Sequence, residues 1–313
     1  MTWLITGGCG YIGSHVVRAF QNAGNDIIVL DSLINGNRNR ISKSTKFVLG
    51  DIRDQALLDS IFQKDKIDGV IHFAALKSVS ESIKNPDDYI DINTKGTETI
   101  LCAASKFRVE KFIFSSTAAV YDADKNDYVN ENSEVNPASP YGLSKLLAEN
   151  YLEEMIKKGE IAGTSLRFFN VAGSQTRKLS ETSGDNLIPR VIKMLTAGIA
   201  PEIFGTEYST PDGTCIRDFV HVKDVARAHV LLASSKQAIP TILNVGTGEG
   251  YSVRYIVDNI QQLMKTDLRP RISPPRMGDC EKLVSDPGLF RDTLGFSCDL
   301  GIQDMLKSEV ANR

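Results

Sequence analysis

The stretch Thr6-Gly7-Gly8-Cys9-Gly10-Tyr11-Ile12-Gly13 constrains this chain more than any other. Residues 1–5 before it are apolar with β-branched character and predict a strand. Residues 11–23 after it set Ile12, Val16, Val17 and Phe20 at helical spacing. Strand, glycine turn and helix open a dinucleotide-binding unit. Gly7, Gly10 and Gly13 permit a sharp turn and a close approach to a pyrophosphate. That anion rests on the helix N-terminus, at Tyr11 and Ile12, where N–H groups and dipole favour it. Asp31 ends a second apolar strand, about 18 residues beyond Gly13. A carboxylate there accepts hydrogen bonds from an adenosine ribose and repels a 2′-phosphate, which favours NAD over NADP. The competing reading is a carboxylate that merely caps a turn.

The rest of the chain extends this beginning. Strands are expected at 46–49, 69–73, 111–116 and 163–167, separated by helices near 55–63, 85–107 and 140–158. Such alternation predicts an α/β fold, a doubly wound parallel sheet of Rossmann type. Residues 122–139, 202–213 and 271–279 read as loops. Helices are expected at 186–197 and 252–264, and a strand at 242–245. The second half is shorter in its elements and irregular. The expected division is a dinucleotide-binding domain over 1–173, with 218–246 returning to it. A smaller substrate domain then takes 174–217 and 247–313.

Hydrophobic residues make up 42% and charged residues 24% of the 313, ordinary for a soluble enzyme with a large core. A net charge of −3 gives no reason to expect nucleic acid or a membrane surface as partner. No leader pattern and no apolar run of membrane-spanning length is visible. The five cysteines are scattered without a C-x-x-C pair, so neither zinc nor a disulfide framework is expected, and a cytoplasmic location is. The four histidines show no metal-ligand spacing.

Phe114-Ser115-Ser116-Thr117 ends an expected strand, on the side where a doubly wound sheet opens its ligand crevice. Pro140-Tyr141-Gly142-Leu143-Ser144-Lys145 opens a helix and puts Tyr141 and Lys145 on one face. A phenol titrates near 10. An adjacent ammonium and an oxidised nicotinamide stabilise the phenolate, so Tyr141 can act as general base. Thr117 can hold a substrate hydroxyl and relay its proton. A second Tyr-x-x-x-Lys copy, Tyr121 with Lys125, falls in a polar loop where the two need not meet. The competing reading of Tyr141 is a helix-start tyrosine with a solvated lysine.

Further segments occur in a recognisable order: Gly50-Asp51-Ile52-Arg53, His72-Phe73-Ala74-Ala75, Arg167-Phe168-Phe169-Asn170 and Arg217-Asp218-Phe219-Val220-His221-Val222. With the motifs above, the chain resembles the extended short-chain dehydrogenase/reductase family from Thr2 to about Leu306. Ala75-Leu76-Lys77-Ser78-Val79 and Ile203-Phe204-Gly205 are closest to its UDP-glucose/UDP-galactose 4-epimerase branch. The resemblance implies NAD as cofactor and a UDP-sugar as substrate. Tyr141 would take the proton of the sugar 4-hydroxyl as hydride leaves C4. A transient 4-keto sugar would turn over, and hydride would return to its other face. Asp51 and Ile52 would contact adenine. Phe73, Ala74, Ala75, Lys77, Asn93, Ser115, Lys145 and Phe169 would line the cofactor site. Lys77, Thr117, Asn170, Asn186, Leu187, Arg217, Arg276, Asp279 and Leu283 would meet the substrate. Arg217 and Arg276 suit a diphosphate, though a surface ion pair would use the same residues. The resemblance also implies a homodimer joined through the helices of Asn93 and Tyr141. The apolar face of Leu146, Leu147 and Tyr151 permits that and would equally serve as core.

Departures refine the reading. Thr117 stands where serine is commoner, Asp122 where glycine is usual, and Phe168 where tyrosine is common. Leu283 stands where glucose-specific relatives carry a pocket-narrowing tyrosine, so N-acetylhexosamines are expected as further substrates; core filling is the other reading of this leucine. Dehydratases carry an acidic pair directly after the threonine, whereas this chain has Ala118-Ala119. A UDP-uronate or UDP-pentose 4-epimerase is the nearer alternative. A non-catalytic NAD-binding regulator would not need both Tyr141 and Lys145.

Overall fold

The computed structural model describes residues 1–122, 128–184, 186–276 and 278–313. Lys125 of the second Tyr-x-x-x-Lys copy, and Asp185 in the polar run after Ser174, lie outside them. In chain order the elements begin β1 (Thr2–Thr6), α1 (Tyr11–Asn22), β2 (Asp26–Asp31), β3 (Lys46–Leu49), α2 (Gln55–Lys64) and β4 (Gly69–His72). Then come α3 (Val79–Lys84), α4 (Pro86–Tyr89), a π-helical turn (Ile90–Lys95), α5 (Gly96–Lys106), β5 (Lys111–Thr117), β6 (Tyr128–Val129) and α6 (Pro140–Lys157). Next follow β7 (Gly163–Phe168), β8 (Asn170–Ala172), α7 (Leu187–Thr196), β9 (Glu202–Phe204), β10 (Ile216–His221), α8 (Val222–Ser234) and β11 (Ile242–Val245). The chain closes with β12 (Gly250–Ser252), α9 (Val253–Met264), β13 (Arg271–Ser273), β14 (Lys282–Ser285), α10 (Gly288–Leu294) and α11 (Ile302–Ala311).

The first compact unit comprises Met1–Val120, Pro137–Arg167 and Val225–Leu243. Its sheet runs in the order β11-β7-β5-β4-β1-β2-β3, with parallel pairing from β3 through β5. Strand order reverses between β1 and β4, so their carboxyl ends form the crevice of a doubly wound sheet. Trp3, Leu4 and Ile5 of β1 are fully buried, as a strand covered on both faces requires. α1 turns Val16, Val17 and Phe20 inward, and Phe20 meets Trp3 edge-on at 5.3 Å. Ser139 starts α6 by accepting the Gly142 N–H at 3.1 Å, and Pro140 sits in its first turn.

The second unit comprises Tyr121–Asn136, Phe168–Asp224 and Asn244–Arg313. Its larger sheet runs β12-β10-β14-β6, with β8 beside β10, and β9 pairs with β13. Helices α7, α9 and α11 bury Ile192, Ile256 and Met305 in its core. The division departs from the expected one. Only Val225–Leu243 returns to the first unit, while 121–136, 168–173, 218–224 and 244–246 join the second. Pairing is the reason: β8 runs parallel to β10, with Phe219 opposite Asn170, and β6 runs parallel to β14.

The three expected loops each carry a short strand, β6, β9 or β13. These strands gain their hydrogen bonds from partners far away in sequence, so no local periodicity announces them. The expected helix at 85–107 contains the π-helical turn around Asn93. Among the described residues no helix is long and apolar enough to cross a membrane.

Candidate active site

The glycine loop joins β1 to α1 in the first unit. A Cβ on Gly13 would stand 2.3 Å from the Gly7 carbonyl oxygen, and one on Gly7, at φ +67°, 2.6 Å from the Ala74 nitrogen. The loop therefore packs backbone on backbone at the β1/β4 reversal, and only glycine fits. Gly10 begins α1 without a capping side chain, which leaves the helix terminus uncrowded for a phosphate. Asp31 accepts the Cys9 N–H at 2.9 Å and the Leu33 N–H at 2.8 Å, one on each oxygen. A carboxylate oxygen accepts more than one bond, so a ribose can still be held. Asp51 pairs with Arg53 at 2.6 Å, and Arg53 reaches Asp91 at 2.5 Å. Ile52 beside it is buried. Phe73 and Ala74 follow β4 directly, and the Ala74 N–H reaches Thr6 Oγ1 at 3.3 Å. Ala75 is half-buried and Lys77 is exposed. These residues fit a dinucleotide.

Asn93 is buried in the π-helical turn, a distortion that often marks functional sites. Its amide accepts the Leu76 N–H at 2.8 Å and donates to the Leu76 carbonyl and the Ser144 hydroxyl, both at 3.0 Å. Asn93 thus ties the segment after β4 to α6.

Thr117, Tyr141 and Lys145 come together. Burial pushes the Tyr141 phenol up, and a hydrogen bond with the Thr117 hydroxyl pulls it back. Lys145 is buried and donates to the Ser115 carbonyl at 2.7 Å, with its ammonium 4.7 Å from the Phe114 ring centroid. Burial pushes its pKa down to about 7, against the attraction of Glu149. His72 ends β4, its ring stacked 5.8 Å from that of Phe114; Nδ1 lies 2.6 Å from Thr6 Oγ1 and Nε2 3.0 Å from Thr97 Oγ1. Burial, then Lys145, push its pKa down to about 3, so it is neutral at pH 7.

The expected substrate residues, other than Lys77, Thr117 and Tyr141, lie in the second unit, as does Phe169. Arg217 on β10 lies 3.6 Å from Asp279, and Leu283 on β14 stands opposite Arg217 in the strand register. The Arg276 carbonyl accepts the Asp279 N–H at 3.2 Å. Arg276 lies over the Phe204 ring at 3.8 Å, and Arg190 lies 5.3 Å from the same ring. Burial and the nearby Arg190 charge push the Arg276 pKa down. Crowded guanidiniums of this kind favour an anion. Asn186 is the N-cap residue of α7, Leu187 opens that helix, and Asn170 opens β8. Phe169 is buried, its ring centroid 6.5 Å from that of Tyr121.

Asp218 is the buried anchor of its motif rather than a site group. It accepts bonds from the Thr247 and Gly248 backbone and from Ser285. Sequence reasoning missed Phe204 as the platform under Arg276. It also missed Glu149, although Tyr141, Lys145 and Glu149 share one helix face by their spacing.

A glycine-cradled dinucleotide seat and a Thr–Tyr–Lys trio at the end of β5 define a nicotinamide-dependent enzyme of the Tyr-x-x-x-Lys class. The profile of the NAD dependent epimerase/dehydratase family matches residues 3–246, and the chain belongs to that family. It is 38% identical over 302 residues to a UDP-glucose 4-epimerase of Lactobacillus helveticus, covering 95% of this chain and 92% of the relative. The solved UDP-glucose 4-epimerase from Bifidobacterium longum, in complex with NAD+ and UDP, matches with TM-score 0.93 and 33% identity. That match covers 100% of this chain and 98% of the other. The UDP-Glc/GlcNAc 4-epimerase from Campylobacter jejuni matches with TM-score 0.85 and 34% identity, covering 99% and 98%.

Proposed function

We infer that the chain is an isomerase, an NAD-dependent UDP-hexose 4-epimerase that interconverts UDP-galactose and UDP-glucose through a transient 4-keto sugar. The observation that carries this reading is the pairing of Tyr141 and Lys145 on one face of α6, with the Lys145 ammonium held at 2.7 Å on the Ser115 carbonyl at the end of β5. The glycine loop and Asp31 would hold NAD, which would supply the hydride acceptor and donor. Tyr141 removes the proton of the sugar 4-hydroxyl and later returns it. Thr117 holds that hydroxyl and shares the proton. Lys145 stabilises the phenolate by its charge. Arg217 and Arg276 take the diphosphate with forked donors, and Asn170, Asn186, Leu187 and Asp279 complete the nucleotide's contacts. Ala118 and Ala119 offer no acid or base for dehydration.

Leucine at 283 leaves room that a tyrosine would fill, and it is only partly buried. UDP-N-acetylglucosamine and UDP-N-acetylgalactosamine therefore also fit as substrates. Leu143 and Leu147 on α6 are exposed apolar residues spaced one turn apart, and Tyr151 continues their line. This face suits a homodimer contact, and five free cysteines suit a reducing cytoplasm.

The test mixes purified protein with UDP-galactose, adds no nucleotide, and follows the anomeric protons by NMR. Conversion to UDP-glucose supports the reading and shows that NAD is retained. No conversion even with added NAD, together with turnover of UDP-uronates or UDP-pentoses, would reassign the substrate.

A further inference from the structure

A buried ion pair stands directly behind the lysine of the trio. Glu149 follows Lys145 by one helical turn on α6 and is 3% exposed. Arg167 on β7, equally buried, grips it in a fork: Nε lies 3.0 Å and 3.3 Å from the two carboxylate oxygens, and one terminal nitrogen 2.7 Å from Oε2. This geometry gives the carboxylate one orientation, where a lone glutamate would have several. A buried ion pair does little for stability compared with apolar packing of the same volume, so its place beside Lys145 calls for another account.

We propose that Glu149 and Arg167 are positioning residues of the active site: Arg167 locks the Glu149 carboxylate one turn beyond Lys145, and that fixed negative charge favours the Lys145 ammonium where it is held on the Ser115 carbonyl. The proposal rests on the epimerase reading for its kinetic consequence only. Among the described residues, the groups around Lys145 leave this task to Glu149. On α6 its charged or titratable neighbours on the same face are Tyr141 and Glu149. From β4 comes His72, which is neutral at pH 7 and brings no negative charge. From β5 come the Ser115 carbonyl and the Phe114 ring. From β7 comes Arg167, which donates to both Glu149 oxygens. Burial works against the ammonium and Glu149 works for it. A lysine that loses its proton can no longer stabilise the Tyr141 phenolate, so the pair would set the alkaline limit of catalysis.

The test titrates Lys145 by NMR in protein labelled with ¹³Cε-lysine, and measures kcat against pH with UDP-galactose. The variants are Glu149→Gln, Glu149→Asp and the double variant Glu149→Gln/Arg167→Met, which leaves no unpaired charge if the single change does not fold. In Glu149→Gln the Lys145 midpoint should fall by about one pH unit, taking the cationic fraction at pH 7 from about half to about a tenth. The alkaline limb of kcat should move with it, while KM for UDP-galactose stays within about twofold. Glu149→Asp should restore most of the wild-type limb. In the double variant the midpoint should fall by less, because the Arg167 charge that opposes the ammonium is removed as well. An unchanged Lys145 midpoint in a folded Glu149→Gln or double variant would overturn the proposal. If the wild type turned over no UDP-sugar, the functional reading would fail, and the Lys145 midpoint would still decide the role of the pair.

Discussion

Lys145 Nζ and the Ser115 carbonyl oxygen lie 2.7 Å apart, which anchors the lysine on the Tyr141 helix face to the end of β5. That bond fixes where the positive charge sits relative to the Tyr141 phenol. Replacing Tyr141 by Phe keeps the ring and removes the proton acceptor. We expect kcat to fall on the order of 10²–10⁴-fold, with bound NAD retained, as measured by turnover and by nucleotide released on denaturation. Lys145→Met should also retain the fold, and its residual activity should rise toward alkaline pH, where the phenol ionises unaided.

Three buried histidines make the fold sensitive to acid. Burial pushes His72 down to about 3, and His221 and His229 down to about 4. The unfolded chain binds protons near the ordinary histidine value of about 6.5, while the folded chain does not. Between those values protons favour unfolding, so stability should fall as pH drops below about 6.5, by about 1.4 kcal/mol per pH unit for each histidine. Urea unfolding at pH 5 and pH 7 measures the slope. His72→Gln should flatten it by about one proton, at the expense of a lower baseline stability. An identical slope in that variant would mean that His72 already carries its proton in the folded state.

The crowding at Gly13 gives a separate test of the dinucleotide seat. An added methyl would meet the Gly7 carbonyl oxygen at 2.3 Å, and that neighbour is backbone. Gly13→Ala should destabilise by about 1–3 kcal/mol in thermal or urea unfolding. It should also abolish copurification of NAD, because the loop has to open where the pyrophosphate would sit.

Leu283 tests the breadth of the sugar site. Leu283→Tyr should lower kcat/KM for UDP-N-acetylglucosamine by about 10–200-fold and leave UDP-galactose within a few-fold of wild type, in the same NMR assay. Equal losses on both sugars would show that the leucine serves packing of β14 and not selection.

Much of the first unit was legible because its signals are local. The glycines, the helical spacing of Val16, Val17 and Phe20, and the continuous apolar strands depend on neighbours within a few residues. The same holds for Tyr141 and Lys145, which one helical turn brings onto one face. The short strands were not legible. β6 has two residues and β9 has three, and each is defined by a partner more than fifty positions away. The domain boundary moved for this reason, since β8 and β10 join a sheet that no repeat in the chain announces.

The sequence by itself determined the dinucleotide-binding topology, the acidic residue at the end of β2 and the chemical identity of the Thr117, Tyr141 and Lys145 trio. Those follow from backbone freedom, side-chain period and proton chemistry, which act over a turn or a strand. Only the tertiary structure decided what surrounds them. It showed Asn93 spending its amide on Leu76 and Ser144, Asp218 bonding Thr247, Gly248 and Ser285, and Glu149 gripped by Arg167. Each is a polar group removed from water, and such a group must find partners wherever the packed chain brings them. That choice depends on which distant segments meet, and the order of residues along the chain does not state it.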